Sequence, residues 1–310
     1  MIVTLTLNPA VDKTIFVSNL TLGQVHRVSE SQLDPAGKGV NVSRLVDRLG
    51  WPTIAFGFLA GEIGRLVAQA LEEEGVQSHF PRVPGQTRLN VTISDEATGL
   101  GTSFYDRGPE VAPERLAKLE DEMTPWIGAC RVLVLAGSLP PGVPDDIYAR
   151  YVGLAHSLGV KTILDADGEP LRFGVRAGPY LIKPNLAEAE RLVGRPLPDL
   201  PSVVQAAREI QASGVEVVVI SMGAKGAICA RNGQVWQAIP PQIERKSTVG
   251  SGDSMVAGLA LAIARGKDIV EGLKLGTAAG AATAMVPGTA LATPEDIARL
   301  LPQVRVDLLA

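Results

Sequence analysis

Residues 247–258 read STVGSGDSMVAG. Three small residues, Gly250, Ser251 and Gly252, precede an acid, Asp253, and a strongly apolar run follows it. A glycine-rich turn at a helix start leaves backbone N–H groups free at the positive end of the helix dipole, which makes a hole for an anion. An acid beside such a hole repels what the hole attracts. Either Asp253 merely caps the helix after a tight turn, or it takes the proton from a hydroxyl about to attack a phosphoryl group. The stretch also separates α/β nucleotide folds from one another. It has no third glycine for G-x-G-x-x-G and follows no amino-terminal βαβ unit, as a dinucleotide-binding dehydrogenase requires. The Gly-Lys pair in AGKGVNVS (36–43) lacks the G-x-x-x-x-G-K-[ST] spacing of a P-loop.

Outward from this turn, short β-branched runs alternate with longer helical patterns. Strands are expected at 2–7, 53–61, 131–137, 161–167, 180–185 and 215–223, with helices at 40–49, 62–74, 113–124, 145–158, 186–193 and 202–213. After residue 250 the pattern is mostly helical, at 253–264, 268–284 and 294–300. This rhythm implies an α/β fold with a mostly parallel sheet and helices on both faces. Its strands are near-continuous apolar runs, as double-sided burial demands. Two segments, about 12–35 and 87–106, break the rhythm. TIFVSN, VHRVSES, TRLNVTIS and TSFYD within them alternate apolar and polar, as half-exposed antiparallel strands do. They read as ordinary edge hairpins or as a small β lid inserted into a single domain spanning 1–310.

Composition bounds the function. The chain of 310 residues is 46% hydrophobic and 20% charged, with a net charge of −4 and no Lys/Arg run. That fits a globular enzyme-sized core and argues against a nucleic-acid partner. The two cysteines, Cys130 and Cys229, make neither a disulfide framework nor a metal cluster, and His26, His79 and His156 have no metal spacing. The most apolar helix, MVAGLALAIA, is too short to span a bilayer, so no membrane partner is expected. MIVTLTLNPAVD lacks a basic n-region and a cleavage site, so a cytoplasmic location is expected.

Four further turns carry polar residues. DPAGKGVNVSRLVDRLG (34–50) opens a helix and offers Lys38 to a phosphate and Asn41 to a sugar hydroxyl, although a solvated lysine is the plainer reading. AGSLPPG (136–142), KPNLAE (183–188) and ISMGAKG (220–226) lie where strands end, the side of a parallel sheet on which ligands gather. Glu188 is either solvated or, near a nucleotide, an organiser of a Mg²⁺ water shell.

With these motifs in order, the chain resembles the PfkB (ribokinase-like) family of carbohydrate kinases over essentially its whole length. STVGSGDSMVAG is similar to the family's carboxy-terminal signature and PAGKGVNVSRLVDRLG to its amino-terminal glycine motif. GSLPPG, KPNLAE and SMGAKG follow in the family's order and spacing. TLTLNPAVD, AGKGVNV, QTRLNV and GSLPPG resemble the phosphosugar branch, which contains 1-phosphofructokinases, tagatose-6-phosphate kinases and the minor bacterial 6-phosphofructokinases. The ending VRVDLLA most resembles the 1-phosphofructokinases. Ser251 departs from the family's usual alanine but is small enough to leave the hole open.

The resemblance implies a ribokinase-like fold and phosphorylation of a ketohexose phosphate with ATP and Mg²⁺. It implies that Asp253 is the base and that the N–H groups of Gly250, Ser251 and Gly252 stabilise the transferred group. ATP is expected along Asn185, Ser221, Gly223, Gly226 and Thr248, with Mg²⁺ near Asn185 and Glu188. The acceptor is expected at Asp12, Gly37, Lys38, Asn41, Arg88, Asn90 and Ser138. Asp12 and Asn41 suit hydroxyls, while Lys38 and Arg88 suit a phosphate dianion. Fructose 1-phosphate is the expected acceptor, tagatose 6-phosphate and fructose 6-phosphate staying open. So does a non-catalytic sugar-phosphate-binding regulator, against which the intact Asp253 turn argues. The lid implies a homodimer.

Overall fold

The computed structural model describes residues 1–28 and 30–309. Ser29, inside the first expected lid segment, and Ala310 lie outside the described residues. The chain opens with β1 (Ile2–Thr6), a hairpin of β2 (Ala10–Val17) and β3 (Glu30–Ala36), α1 (Lys38–Arg48), β4 (Thr53–Gly57), α2 (Gly61–Glu73) and β5 (Ser78–His79). A second hairpin, β6 (Arg88–Asp95) and β7 (Leu100–Phe104), leads to α3 (Pro113–Ala129), β8 (Val132–Ala136), α4 (Ile147–Ser157) and β9 (Lys161–Asp165). Then come α5 (Gly168–Arg176), β10 (Leu181–Ile182), α6 (Leu186–Val193), α7 (Leu200–Ala212) and β11 (Val217–Ser221). The last third holds β12 (Ala227–Arg231), β13 (Gln234–Ile239), α8 (Ser251–Ala264), α9 (Ile269–Ala284), α10 (Pro294–Leu300) and β14 (Arg305–Leu308).

A ten-stranded sheet runs in the order β14-β13-β12-β11-β10-β9-β8-β1-β4-β5. Every pair from β11 to β5 is parallel, and β12, β13 and β14 add an antiparallel edge. Alternate residues of one strand serve two cores. Val3 and Leu5 join Leu133, Leu135 and side chains of α3, α4 and α7 on one face. Ile2 joins Val132, Val134 and side chains of α1, α8 and α9 on the other. That is why these strands read as unbroken apolar runs, each fully buried Val, Leu or Ile contributing roughly 1.5–3 kcal/mol. The antiparallel edge was absent from the expected strands, although Asn232-Gly233 turns β12 into β13 with positive φ at both residues, the pattern of a two-residue hairpin. Helix α5 was also absent from the expected helices. It is a short helix that starts after Asp167, whose side chain accepts from the Gly168 N–H.

α8 and α9 pack back to back through glycines. A Cβ on Gly258 would lie 2.6 Å from Gly276 backbone atoms, so only glycine permits this close approach of the two helices.

The two inserted segments form a separate four-stranded sheet, β3-β2-β6-β7. Each hairpin is antiparallel, as expected, but β2 and β6 join in parallel, with Ala10 opposite Arg88 and Asp12 opposite Asn90. Both strands leave the main body in the same direction, which fixes that pairing. Val25, His26, Arg27 and Val28, expected in a strand, lie outside one, because the partner register of β2 ends at Phe16 opposite Glu30. Among the described residues, no helix is long and apolar enough to cross a membrane.

Candidate active site

Because β1, β8, β9, β10 and β11 run parallel, their carboxyl ends share one edge of the sheet. At that edge, or just beyond it, stand Asn8, Ser138, Asp165, Lys183 and Ser221. Ligands of open α/β sheets bind at this edge. The lid sheet and the amino ends of α1 and α8 bring the remaining groups.

The first cluster surrounds Asp253. The residue lies in the first turn of α8, whose N-cap, Gly250, has φ +75. That left-handed turn favours glycine. Among the described residues no side chain caps the helix, so its leading N–H groups are open to an anion. The Ser251 hydroxyl is buried there without a partner among the described residues. Gly252 leaves room for an ammonium: a Cβ on it would lie 3.4 Å from Lys183 Nζ. Lys183 is 3% exposed and pairs with Asp165 at 3.2 Å. Asp165 also holds Lys38, whose Nζ is 2.8 Å away and reaches Glu188 at 3.5 Å.

Asp253 is buried, and Asn41 Nδ2 donates to its Oδ2 over 2.7 Å. Burial pushes the Asp253 carboxyl up to about 6, Asp165 adds to the rise, and Asn41, Lys38 and Lys183 oppose it. Asp165 falls below the usual range, because Lys183 and Lys38 outweigh the burial that would raise it. Burial alone would lower Lys38, but Asp165 and Glu188 together raise it above the ordinary lysine range. The cluster thus holds one carboxylate firmly ionised and another near neutrality, a division suited to proton abstraction.

The second cluster lies toward the lid. The β2–β6 register sets Asn90 Nδ2 2.8 Å from Asp12 Oδ1. Burial raises Asp12, against Asn90 and Arg88, and lowers Arg88, against Asp12 and Asp106. Arg88 Nη2 donates to the Asn8 carbonyl, while its Nε is buried without a partner among the described residues. Asn8 Nδ2 donates to the Arg107 carbonyl at 3.1 Å and lies 3.4 Å from Ser138 Oγ. A cleft of about 540 Å³ opens here, lined by Asn8, Arg88, Tyr105, Arg107 and Ser138 among others. Neither Asp253 nor Lys38 lines it.

The expected site residues therefore fall into distinct groups. Lys38 and Arg88, both assigned to one phosphate, have different neighbours: Lys38 faces Asp165 and Glu188, and Arg88 faces the cleft. Asn41, assigned to a sugar hydroxyl, gives its N–H to Asp253. Gly37 is the N-cap of α1, with φ +125. On the nucleotide side, Asn185 bridges to Ser221 as a β-pair, which joins the ends of β10 and β11. Gly223 opens a single 3-10 turn that Gly226 closes as its C-cap, and Thr248 is exposed in the approach to α8. Asp165, Lys183 and Asn8 were not singled out from sequence. Lys183 stood inside the quoted KPNLAE, and Asp165 lies within the run 161–167, read as a strand alone.

Asn185 and Glu188 are already bound to each other. The Asn185 side chain accepts from the Glu188 N–H at 2.9 Å, and the Glu188 carboxylate accepts from the Asn185 N–H at 2.8 Å. Among the described residues, no group of three or more acids, histidines or cysteines could hold a metal ion. This donor set fits a Mg²⁺ that arrives on a nucleotide and keeps its waters, rather than an ion caged by protein.

Comparison with known proteins gives the site its setting. The model of the pfkB family carbohydrate kinases matches residues 5–296. The chain is 38% identical over 315 residues to a 1-phosphofructokinase of Rhodobacter capsulatus, covering 99% of this chain and 98% of that one. Phosphofructokinase-2 of Escherichia coli, solved in complex with substrates and products, superposes with a TM-score of 0.91 at 31% identity, over 97% of this chain and 98% of that one. The ribokinase of Arabidopsis thaliana, complexed with ribose and ATP, shares the fold at a TM-score of 0.80 and 23% identity, over 97% and 98% of the two chains. The chain belongs to the pfkB family of carbohydrate kinases, ribokinase-like in fold, and transfers a phosphoryl group from ATP, with Mg²⁺, to a hydroxyl group of a sugar.

Proposed function

We propose that this kinase phosphorylates fructose 1-phosphate to fructose 1,6-bisphosphate, with Asp253 as the general base. One observation carries the chemistry: a buried carboxylate pushed up to about 6 stands in the first turn of a helix whose N–H groups are uncapped. Asp253 takes the proton of the attacking hydroxymethyl group. The N–H groups around Gly250, Ser251 and Gly252 meet the charge that develops on the transferred group. Lys38 and Lys183, both held by Asp165, add positive charge on the same side.

Arg88, with Ser138, receives the phosphate arm in the cleft, and Asp12 and Asn90 read hydroxyls. Gly37, whose positive φ suits glycine and whose missing Cβ avoids Thr6 and Pro9, turns the chain into α1 beside the sugar. Asn185, Ser221, Gly223, Gly226 and Thr248 line the nucleotide path. Glu188 steadies the water shell of Mg²⁺ through its remaining acceptor capacity. The likeness to the 1-phosphofructokinase of Rhodobacter capsulatus supports the choice of isomer.

The chain acts as one domain in the cytoplasm, with segments 12–35 and 87–106 as a lid that also joins two copies. Leu33, Leu100 and Phe104 on the lid sheet are 57%, 70% and 59% exposed, which supports a covered face. The deciding measurement is kcat/KM for fructose 1-phosphate, fructose 6-phosphate and tagatose 6-phosphate at saturating Mg-ATP. Fructose 1-phosphate is expected to lead by tenfold or more, about 1.4 kcal/mol in transition-state binding. A tenfold preference for either 6-phosphate overturns the acceptor, and no ADP release with any of them favours a non-catalytic regulator.

A further inference from the structure

The base is tied to a chain of side chains that runs away from the substrate. Asn41 and Arg44 are three residues apart on α1 and share a face of it. Arg44 is 3% exposed. Its Nε and Nη2 donate to the Glu74 carboxylate at 2.9 and 2.6 Å, and its Nη1 donates to the Pro35 carbonyl at 3.0 Å and to Asn41 Oδ1 at 3.5 Å. Glu74, from the end of α2, also pairs with Arg48 at 3.4 Å. The guanidinium is therefore fixed from three elements: α1, the residue after α2, and β3.

A guanidinium carries donors only, and an ionised carboxylate carries acceptors only. The Asn41 amide stands between one of each. Only one orientation suits both, with Oδ1 toward Arg44 and Nδ2 toward Asp253. A flipped amide sets N–H against guanidinium and oxygen against carboxylate. We infer that Arg44, clamped by Glu74, is a positioning residue that locks the Asn41 amide with its N–H side toward Asp253. The inference rests on Asp253 being the base. Locking the amide ties Oδ2 of Asp253 and leaves Oδ1 to take the proton of the acceptor hydroxyl. It also keeps a donor on the carboxylate, which opposes the rise that burial causes. The other charged groups that act on Asp253 are Asp165 from β9, Lys38 from α1 and Lys183 from the turn after β10. A substitution at Arg44 leaves all three in place.

The test is a double-mutant cycle read on the acid limb of kcat against pH, with Tm recorded for each protein. Arg44→Met and Asn41→Ala are each expected to move the acid midpoint upward by about half a unit or more. In the double variant Arg44→Met should add no shift to that of Asn41→Ala, because its effect passes through the amide. A merely structural arginine lowers Tm and kcat and leaves the midpoint in place. A direct charge effect moves the midpoint again in the Asn41→Ala background. Either result overturns the inference. Should Arg44→Met fail to fold, the same cycle runs with Glu74→Gln, which loosens the clamp and keeps the guanidinium; an unmoved midpoint there overturns the inference as well. Asp253→Asn separates the two levels: if that variant turns over like wild type, the base assignment fails, and if it is inactive while the cycle shows no coupling, the positioning role alone fails.

Discussion

Asp253 shows what one residue gives up to be useful. A carboxylate on the surface stays ionised and is a weak base; buried in the first turn of α8 it is pushed up to about 6, close to a working pH. Asp253→Asn keeps the shape and removes the proposed base, so kcat should drop by roughly 10²–10⁴ with the KM for the phosphosugar nearly unchanged. Turnover like wild type in steady-state assays would refute the role. The same burial has a thermodynamic side. The native carboxyl holds its proton to higher pH than the unfolded one, whose reference value is 3.8. Stability therefore falls as pH rises between about 4 and 6, and the cost is fully present above that window. Asp253→Asn removes it. The variant should be more stable than wild type by on the order of 1–3 kcal/mol above about pH 6, and the difference should vanish toward pH 4. Urea melts at several pH values measure this, and a pH-independent difference would show that desolvation is not its source.

At the scale of the element, α8 divides its glycines between two duties. Gly252 faces the charged cluster, where a Cβ would make an ordinary contact 3.4 Å from Lys183 Nζ. Gly258 faces α9, where a Cβ would lie 2.6 Å from the Gly276 backbone. Gly252→Ala should thus keep Tm, since alanine suits a helix better than glycine, while its methyl group intrudes on the anion hole and lowers kcat at least tenfold, about 1.4 kcal/mol. Gly258→Ala should do the reverse, forcing two helices apart at a cost of about 1–3 kcal/mol with the chemistry intact in the folded fraction. Paired Tm and active-site-normalised kcat values test the division; a shared pattern in both variants would contradict it. The sequence displays the glycine-rich turn and the apolar run of α8 but not which glycine meets which neighbour, because that depends on how α9 returns against it.

At the scale of the whole molecule, what could be read from the chain was what repeats locally. Unbroken apolar runs separated by helical periods are legible as a parallel sheet because each strand is buried on both faces. The charged cluster is not legible in that way. Lys38 and Asp165 are 127 positions apart, and neither is distinctive alone; only the order of strands brings β9 and β10 to the amino ends of α1 and α8. The lid is intermediate: alternation in TIFVSN and TRLNVTIS announces two hairpins, while their parallel joining through Asp12 and Asn90 is set by how both leave the main body. That joining has a consequence for assembly. β7 is an edge strand, and Leu100 and Phe104 on it are 70% and 59% exposed. Open apolar edges are usually covered. If the lid sheets of two copies cover one another, the wild-type protein sediments at twice its 32.5 kDa. Leu100→Lys combined with Phe104→Lys should shift it to the monomer, because a lysine ammonium facing its symmetry mate cannot be desolvated cheaply. The lid would then lose its support, so the KM for the phosphosugar should rise severalfold while the KM for Mg-ATP, whose proposed path along Ser221, Gly223, Gly226 and Thr248 includes no lid residue, should hardly move. Sedimentation velocity and steady-state kinetics on the same preparations decide it: a wild type that sediments as a monomer, or a double variant that stays dimeric, removes the lid from the interface.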